Sequence, residues 1–357
     1  MPSLIQSSLA ILALSSSALG AYSIDKAFKF DVHSHVVPPI YKEALIKAKY
    51  PVDAATGLVF TDGFPVPDWT LANHIATMNT NGVNYSTISI SAPGANFYAG
   101  QKNKMLTLVR SLNDAMASYT TQYPTRIGAM CILPLPYIEA SIAEIVYCLD
   151  TLKFDGVGLY TNADGTYLGD RALDPVFDLL NARGATVFVH PSKPCSGSVS
   201  LGYPDPMIEY PFESVRAMEN LLLTGQRSQY SNMSIIFPHG GGALPYLATR
   251  IAGLASLPFM GGLSVPDSLN QFKGYLFDTA SSTSVVQLIA MKQFFGSVSG
   301  IVTGTDFPYV PQAQAAAGLA STKANGQFTD DEMGSINNAN AFRVFPKVAA
   351  KLGFAIV

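Results

Sequence analysis

The chain has 357 residues, of which 48% are hydrophobic and 13% are charged, and its formal net charge is −3. This composition supplies a large buried core and is typical of a globular protein with one large or two average domains. The weak negative charge leaves no basic surface for nucleic acid, so we expect no nucleic-acid partner.

Residues 1–20 have the pattern of a signal peptide. Leu9 to Leu14 form a short apolar core, and Ala18-Leu-Gly20 ends in small residues that suit cleavage before Ala21. The segment before the apolar core contains no Lys or Arg, although signal peptides usually carry one. We predict a secreted or extracellular protein, with a cytoplasmic one as the alternative, and no integral membrane segment after the leader.

The rest of the chain alternates between strand-like and helix-like runs. Most strand-like runs are continuously apolar, which is typical of parallel strands buried on both faces. The predicted strands are Lys29–His33, Tyr85–Ser91, Arg126–Leu133, Gly156–Thr161, Thr186–His190, Ser234–Pro238, Tyr275–Thr279 and Ile301–Thr305. The predicted helices are Trp69–Asn81, Lys104–Gln122, Tyr137–Leu152, Pro175–Arg183, Val215–Leu223, Leu244–Ala255, Val285–Phe295 and Asp330–Phe342. This alternation predicts an α/β fold, a single (β/α)8 TIM barrel that occupies residues 21–357.

Two connections are longer than a barrel needs. They run from Val36 to Asp68 after the first strand and from Pro191 to Phe212 after the fifth. Both leave the carboxyl ends of strands, which is the active face of such barrels. We expect them to line or cover a pocket, with plain decoration of the surface as the alternative.

The strand ends also carry four of the five histidines. His33 and His35 alternate at the first strand end and therefore project to the same side. His190 ends the fifth strand, His239 ends the sixth and Asp306 follows the eighth. These ends meet at one rim of a barrel, so the pattern predicts a catalytic metal site with nitrogen and oxygen ligands. We predict zinc as the metal, with manganese or iron as alternatives. The fourth strand has no lysine near its carboxyl end to bridge two metals, so we predict a site for one metal.

The remaining histidine, the aspartate before the paired histidines and the three cysteines are mainly expected to have structural roles. We expect His74, on a helix, to be structural, and Asp31 either to orient one of the paired histidines or to satisfy local backbone groups. Cys131 and Cys148 are expected to be buried apolar residues and not a disulfide framework. Cys195 is a weak candidate for an additional ligand because no second thiol is near it in sequence.

Four motifs together resemble the amidohydrolase superfamily, in its aminocarboxymuconate-semialdehyde decarboxylase-like branch, which includes the fungal 6-methylsalicylate decarboxylases. They are Asp31-Val-His-Ser-His-Val-Val-Pro-Pro39, Val189-His-Pro-Ser192, Pro238-His-Gly-Gly-Gly242 and Gly304-Thr-Asp-Phe-Pro308. The resemblance implies an amidohydrolase-type barrel and one divalent metal held by His33, His35, His190 and Asp306. It also implies that His239 acts beside the metal.

The resemblance further implies an oligomer. Arg250 lies eleven residues after His239, where some relatives place an arginine that enters the neighbouring subunit's pocket. A homodimer or higher homo-oligomer is therefore implied, with Arg250 binding substrate. The alternative role for Arg250 is a salt bridge on the surface of its helix.

The activity implied by the resemblance is metal-dependent, non-oxidative decarboxylation of a small hydroxylated aromatic acid. The best single substrate is 6-methylsalicylate, which gives m-cresol and CO2 by protonation of the ring carbon followed by C–C cleavage. The proton comes from Asp306 or from a water on the metal, and His239 polarises either the carboxylate or a metal-bound water. The alternatives are a lactonase-like metal-dependent hydrolase and a catalytically silent secreted binding protein.

Overall fold

A computed structural model describes residues 25–197, 199, 201–311 and 326–354. The predicted signal peptide lies outside these described residues. No helix in the described ranges is long and apolar enough to cross a membrane.

Eight parallel strands form one sheet whose spatial order is the same as the chain order. They are β1 Phe30–Val36, β2 Tyr85–Ile90, β3 Ile127–Cys131, β4 Gly156–Tyr160, β5 Thr186–His190, β6 Ser234–Phe237, β7 Leu276–Asp278 and β8 Ile301–Val302. The sheet closes because Val32 N donates to the carbonyl of Thr303 at 2.9 Å and Thr305 N donates to that of His33 at 3.1 Å. The predicted barrel is therefore confirmed.

Helices surround this sheet and return the chain from each strand to the next. The longer ones are α1 Pro39–Lys47, α2 Leu71–Asn81, α3 Lys102–Gln122, α4 Ile138–Val146, α5 Asp174–Ala182, α6 Glu209–Leu223, α7 Leu244–Ala255, α8 Val265–Lys273, α9 Val285–Phe295 and α10 Pro346–Lys351. Three of them, α1, α8 and α10, lie outside the helices that the sequence predicts. Each has nine residues or fewer and a proline in its first turn, so it is too short for a helical apolar period to be recognised.

The two long connections meet over the carboxyl ends of the strands. The first contains α1 and a small hairpin whose strands are Phe60–Thr61 and Phe64–Pro65. At the turn of this hairpin, the Asp62 carbonyl accepts a hydrogen bond from Asp205 N at 3.0 Å, and the Asp62 carboxylate accepts one from Tyr210 OH at 2.7 Å. The first connection is therefore fastened to the second and to the start of α6.

The interior of the barrel is a packed core. Inward-facing residues of the strands form one apolar cluster with the C-terminal helices, which close the end of the barrel opposite the candidate site. The cluster comprises Phe30, Val32, Tyr85, Met130, Phe188, Ile236, Leu276, Val302, Ala341, Phe342, Val344, Phe345, Val348 and Ala349. This packing gives the strands a rigid base from which to present side chains at the other rim.

Cys131 and Cys148 form a disulfide bond, with Cα atoms 5.9 Å apart. Both are fully buried, as the sequence indicated, but the prediction of two separate thiols is wrong. They are 17 positions apart in the chain. The strand and the returning helix bring them side by side, which spacing alone does not reveal.

A polar network locks the closed end of the barrel. Tyr85 OH donates to the Asp155 carboxylate at 2.7 Å, and Lys351 of α10 lies 3.7 Å from the same carboxylate. Gly128 of β3 leaves the space for this network, because a Cβ atom there would lie 1.5 Å from Asp155 Oδ2.

Replacing Gly128 with Ala is expected to lower the free energy of unfolding by about 2–4 kcal/mol, because the network must shift to accept the methyl group. Thermal unfolding measures the change. Gly158→Ala on the neighbouring strand is the control, since its Cβ would meet no atom closer than 3.5 Å. Equal stability of the two variants would contradict the prediction.

Candidate metal centre and active site

Four side chains meet at the open rim of the barrel, namely His33, His35, His190 and Asp306. One ligand atom from each lies within 4.8 Å of the others. The Nε2 atoms of His33 and His35 are 2.9 Å apart, and each is 3.3 Å from Asp306 Oδ1. The structure thus brings together all four residues that the sequence predicts as ligands.

The backbone explains how these side chains converge. Strand β1 continues to Val36, beyond the predicted end at His33, so both histidines lie within the strand and face the same way. His190 is the last residue of β5. Asp306 has φ of +53° and donates its N–H to the His33 carbonyl at 2.8 Å. This left-handed conformation is uncommon for a residue with a side chain and is typical of functional sites.

Each histidine of the cluster is held by its Nδ1 atom. His33 Nδ1 donates to Asp278 Oδ2 at 2.7 Å, His35 Nδ1 to Ser89 Oγ at 3.0 Å and His190 Nδ1 to the Pro191 carbonyl at 2.7 Å. With Nδ1 bonded to these partners, Nε2 is the ring atom that each histidine turns toward the cluster, and it can bind a cation once it carries no proton. Three imidazole nitrogens and one carboxylate suit zinc, manganese or iron, so these residues fit a single divalent metal.

Asp278 is the member of the centre that the sequence interpretation missed. It is fully buried at the end of β7. Its Oδ2 accepts from the His33 ring, while its Oδ1 accepts the backbone N–H groups of His239 at 3.0 Å and Ala280 at 2.9 Å. The available signal was a lone acidic residue that ends the apolar run Leu276-Phe-Asp278, at the active rim of a barrel strand.

Asp31 serves the backbone and does not contact a histidine ring. It accepts hydrogen bonds from His33 N at 3.1 Å, Thr305 N at 2.9 Å and the hydroxyls of Thr305 and Ser86. The second of the two predicted roles is therefore correct. Burial raises the pKa of Asp31 to about 6, even though all of these hydrogen bonds act to lower it.

The acidic groups of the centre set its charge. Burial alone would lower the pKa of His33, but the carboxylates of Asp278 and Asp306 raise it to about 10. Burial would likewise raise the pKa of Asp306. Its charge interaction with His33 and hydrogen bonds from His239, His33 and His35 instead hold that pKa well below the ordinary range. The centre is thus a concentration of negative charge that attracts a cation.

His239 stands beside the four-residue cluster. Its Nε2 lies 3.4 Å from Asp306 Oδ2, whereas the paired histidines approach Oδ1 of the same carboxylate. Its φ is +57°, and its Nδ1 is buried with no hydrogen-bond partner among the described residues. A histidine in this position can exchange a proton with a bound molecule.

A cavity of about 610 Å³ opens from the cluster. His190, His239 and Asp306 form its chemically active wall, three aromatic side chains face it, and a run of hydroxyl residues forms a further wall. The lining residues are Thr61, Phe64, Ser91, Ala92, His190, Pro206, Met207, Tyr210, Pro211, His239, Gly242, Ser281–Ser284, Gln287, Asp306, Tyr309, Val310 and Pro311. None of them is a lysine or an arginine. The volume suits a small aromatic ligand.

The other predicted residues lie outside this arrangement. His74 is buried on α2, and its Nδ1 accepts a hydrogen bond from Trp69 Nε1 at 3.1 Å, in keeping with a structural role. The Cys195 thiol lies 2.8 Å from Asn162 Oδ1 and is not part of the cluster. Arg250 is exposed on α7, outside the cavity of its own chain. Its role in substrate binding therefore stays a prediction.

Comparison with known proteins gives this geometry a family context. A family model described as amidohydrolase matches residues 30–347. The chain is 35% identical over 295 residues to the decarboxylase yanB of Aspergillus niger, covering 79% of this chain and 78% of the relative. It is 31% identical over 325 residues to 6-methylsalicylic acid decarboxylase of Penicillium expansum, covering 90% and 97%.

A solved structure shares the fold. The dihydroxybenzoic acid decarboxylase of Polaromonas sp. JS666, with bound manganese and the inhibitor 2-nitroresorcinol, superimposes with a TM-score of 0.74 at 19% identity. The match covers 89% of this chain and 97% of that one.

Replacing Asp278 with Asn is expected to weaken metal binding by about 10–100-fold, because the His33 ring loses its charged acceptor. Elemental analysis and metal titration of the purified protein measure the effect. Asp155→Asn is the control, since it alters an aspartate at the closed end of the barrel whose side chain is only 5% exposed. Undiminished metal affinity in Asp278→Asn would contradict the prediction.

Proposed function

This chain belongs to the amidohydrolase family, and we propose that it is a metal-dependent, non-oxidative decarboxylase of hydroxylated aromatic acids that acts on 6-methylsalicylate. One observation carries the proposal. His239 stands beside a three-histidine, one-aspartate cluster at the base of a cavity with aromatic walls. The similarity to decarboxylases over most of the chain supports the same reaction class.

His33, His35, His190 and Asp306 would hold the metal. When bound, a divalent metal supplies positive charge that binds the carboxylate and phenolate oxygens of the substrate and stabilises negative charge on them. Zinc is our proposal, because three imidazoles and one carboxylate suit it well. Manganese or iron is the alternative, and the manganese in the Polaromonas decarboxylase supports that option.

The residues of the chain orient the acid and move the proton. Direct loss of CO2 would leave an unstable aryl anion, whereas protonation of the carboxylate-bearing carbon avoids it. An ortho hydroxyl feeds electron density to that carbon, and the C–C bond breaks as the ring regains aromaticity. His239 Nε2 would polarise the carboxylate, with Asp306 fixing the imidazole. Asp306 would give the proton to the ring carbon if it is protonated when substrate binds, and a bound water is the alternative donor.

Aromatic side chains form the walls for the ring. Phe64 of the hairpin and Tyr309, which follows β8, have ring centroids 6.1 Å apart, and both line the cavity. Tyr309 also contacts the His35 ring at 5.5 Å, which places this wall next to the metal ligands. A flat substrate would bind by stacking and edge contacts with these rings.

We further propose that the protein is a homodimer or higher homo-oligomer in which Arg250 enters the partner's cavity. The exposure of Arg250 supports this, and so does the lack of lysine and arginine among the lining residues that the structure describes. We also propose that the chain is secreted. The leader pattern supports that location, as does the disulfide bond, which is a feature of oxidising compartments.

The test of the function is incubation of the zinc-loaded protein with 6-methylsalicylate and a panel of hydroxybenzoates. We expect release of CO2 and formation of the matching phenol, identified by mass. Hydrolysis of lactones without CO2 release would support the lactonase-like alternative instead. A purified protein that holds no metal and converts neither class would favour a silent binding protein.

Replacing His239 with Ala is expected to reduce kcat by about 10²–10⁴-fold while metal content stays at the wild-type level, because His239 acts beside the metal and does not bind it. Turnover and elemental analysis of the same sample give both quantities. His190→Ala is the comparison variant and should lose metal and activity together. Loss of metal from His239→Ala would make this residue a ligand and contradict the assignment.

A further inference from the structure

The cavity wall beside His239 carries a serine whose hydroxyl is unused. Ser282 is only 3% exposed and lines the cavity. Its backbone N–H donates to the Thr279 carbonyl at 2.9 Å, but its Oγ makes no hydrogen bond within the described ranges. Buried hydroxyls usually have partners, since leaving one unpaired costs free energy. An unpaired hydroxyl on a cavity wall is therefore available to a bound molecule.

The turn that carries Ser282 is tied to the centre. The same oxygen of Asp278 accepts the N–H groups of His239 and of Ala280, so the segment before Ser282 is anchored beside the histidine. Gly240 follows His239 directly and has φ of +66°. A Cβ atom at Gly240 would lie 3.0 Å from Ser282 Oγ. Because Gly240 has no Cβ atom, the Ser282 hydroxyl can approach the backbone of the residue that directly follows His239, the proposed catalytic histidine.

Nearby groups do not replace this donor. None of the described residues that line the cavity is a lysine or an arginine, so within this part of the chain a carboxylate bound there takes its hydrogen bonds from His239 and from neutral donors. The helix α9 begins at the same wall, but its first turn is already capped, because Ser284 Oγ accepts from Gln287 N and the Gln287 side chain accepts from Ser284. Ser282 is a buried donor, on the turn anchored beside His239, that its own described neighbours leave free.

We infer that Ser282 is a substrate-binding residue whose hydroxyl donates a hydrogen bond to the carboxylate of the aromatic acid. This assignment rests on the proposed function and extends it. The carboxylate is the group lost as CO2, so the contact forms with the acid and is absent with the phenol product. Ser282 therefore increases the affinity of the site for the acid but not for the phenol, which favours release of the phenol.

Two probes test the assignment by titration calorimetry on the zinc-loaded protein. The first is 2-methylbenzoate, which carries a carboxylate but lacks the ortho hydroxyl that promotes decarboxylation, and the second is m-cresol, which has no carboxylate. Ser282→Ala should weaken binding of 2-methylbenzoate about tenfold, as expected for a hydrogen bond to a charged group. Binding of m-cresol should change by less than about twofold.

Ser268→Ala is the matched control. Ser268 is a buried serine on α8 whose hydroxyl likewise has no partner among the described residues, and it is not one of the residues that line the cavity. It should leave the affinities of both probes unchanged. Ser282→Cys provides a second variant with a weaker donor of similar shape, and it should fall between wild type and Ser282→Ala.

Three results overturn the assignment. They are an unchanged affinity for 2-methylbenzoate in both Ser282 variants, an equal loss for both probes, and a wild-type protein that does not bind 2-methylbenzoate. Decarboxylation is measured separately. A wild-type protein that binds the probes as expected but releases no CO2 from any hydroxybenzoate refutes the proposed function, and what then remains of the assignment is the hydrogen bond from Ser282 to a bound aromatic carboxylate.

Discussion

The carboxylate of Asp278 connects the parts of the candidate centre. One of its oxygens accepts from the ring of His33, and the other accepts from the backbone of His239 and Ala280. Because this carboxylate is fully buried, breaking any of these hydrogen bonds would leave a buried polar group without a partner and would cost free energy. The proposed metal ligand His33, the proposed catalytic residue His239 and the turn that carries Ser282 therefore share one anchor, and their relative positions are fixed together.

The distribution of charge explains why this centre attracts a cation, and why an anionic acid binds well only when that cation is present. Asp278 and Asp306 concentrate negative charge around His33, whose pKa is raised to about 10 as a result. The cavity beyond contains aromatic and hydroxyl groups but no lysine or arginine from its own lining. An aromatic carboxylate therefore depends on the charge of a bound metal, on neutral donors such as Ser282, and on any cation that a second subunit contributes.

The sequence predicted the centre well where a local period carried the information. His33 and His35 are two residues apart on a strand, and a period of two places them on one side. His190 and Asp306 were predicted because parallel strand ends meet at one rim. Asp278 was missed because nothing local separates an acid that holds a histidine from one that caps a turn. The Cys131–Cys148 bond was missed for a similar reason, since it depends on how a helix returns to its strand.

The sequence alone determined the barrel, its eight strands and the identities of the clustered residues, because apolar runs and strand-end histidines are properties of short segments. Only the tertiary structure decided which groups touch. It assigned Asp31 to the backbone and Asp278 to His33, and it brought the unpaired hydroxyl of Ser282 against Gly240. The physical reason is that hydrogen bonds and close contacts join residues far apart in the chain, and their geometry exists only after the sheet has closed on itself.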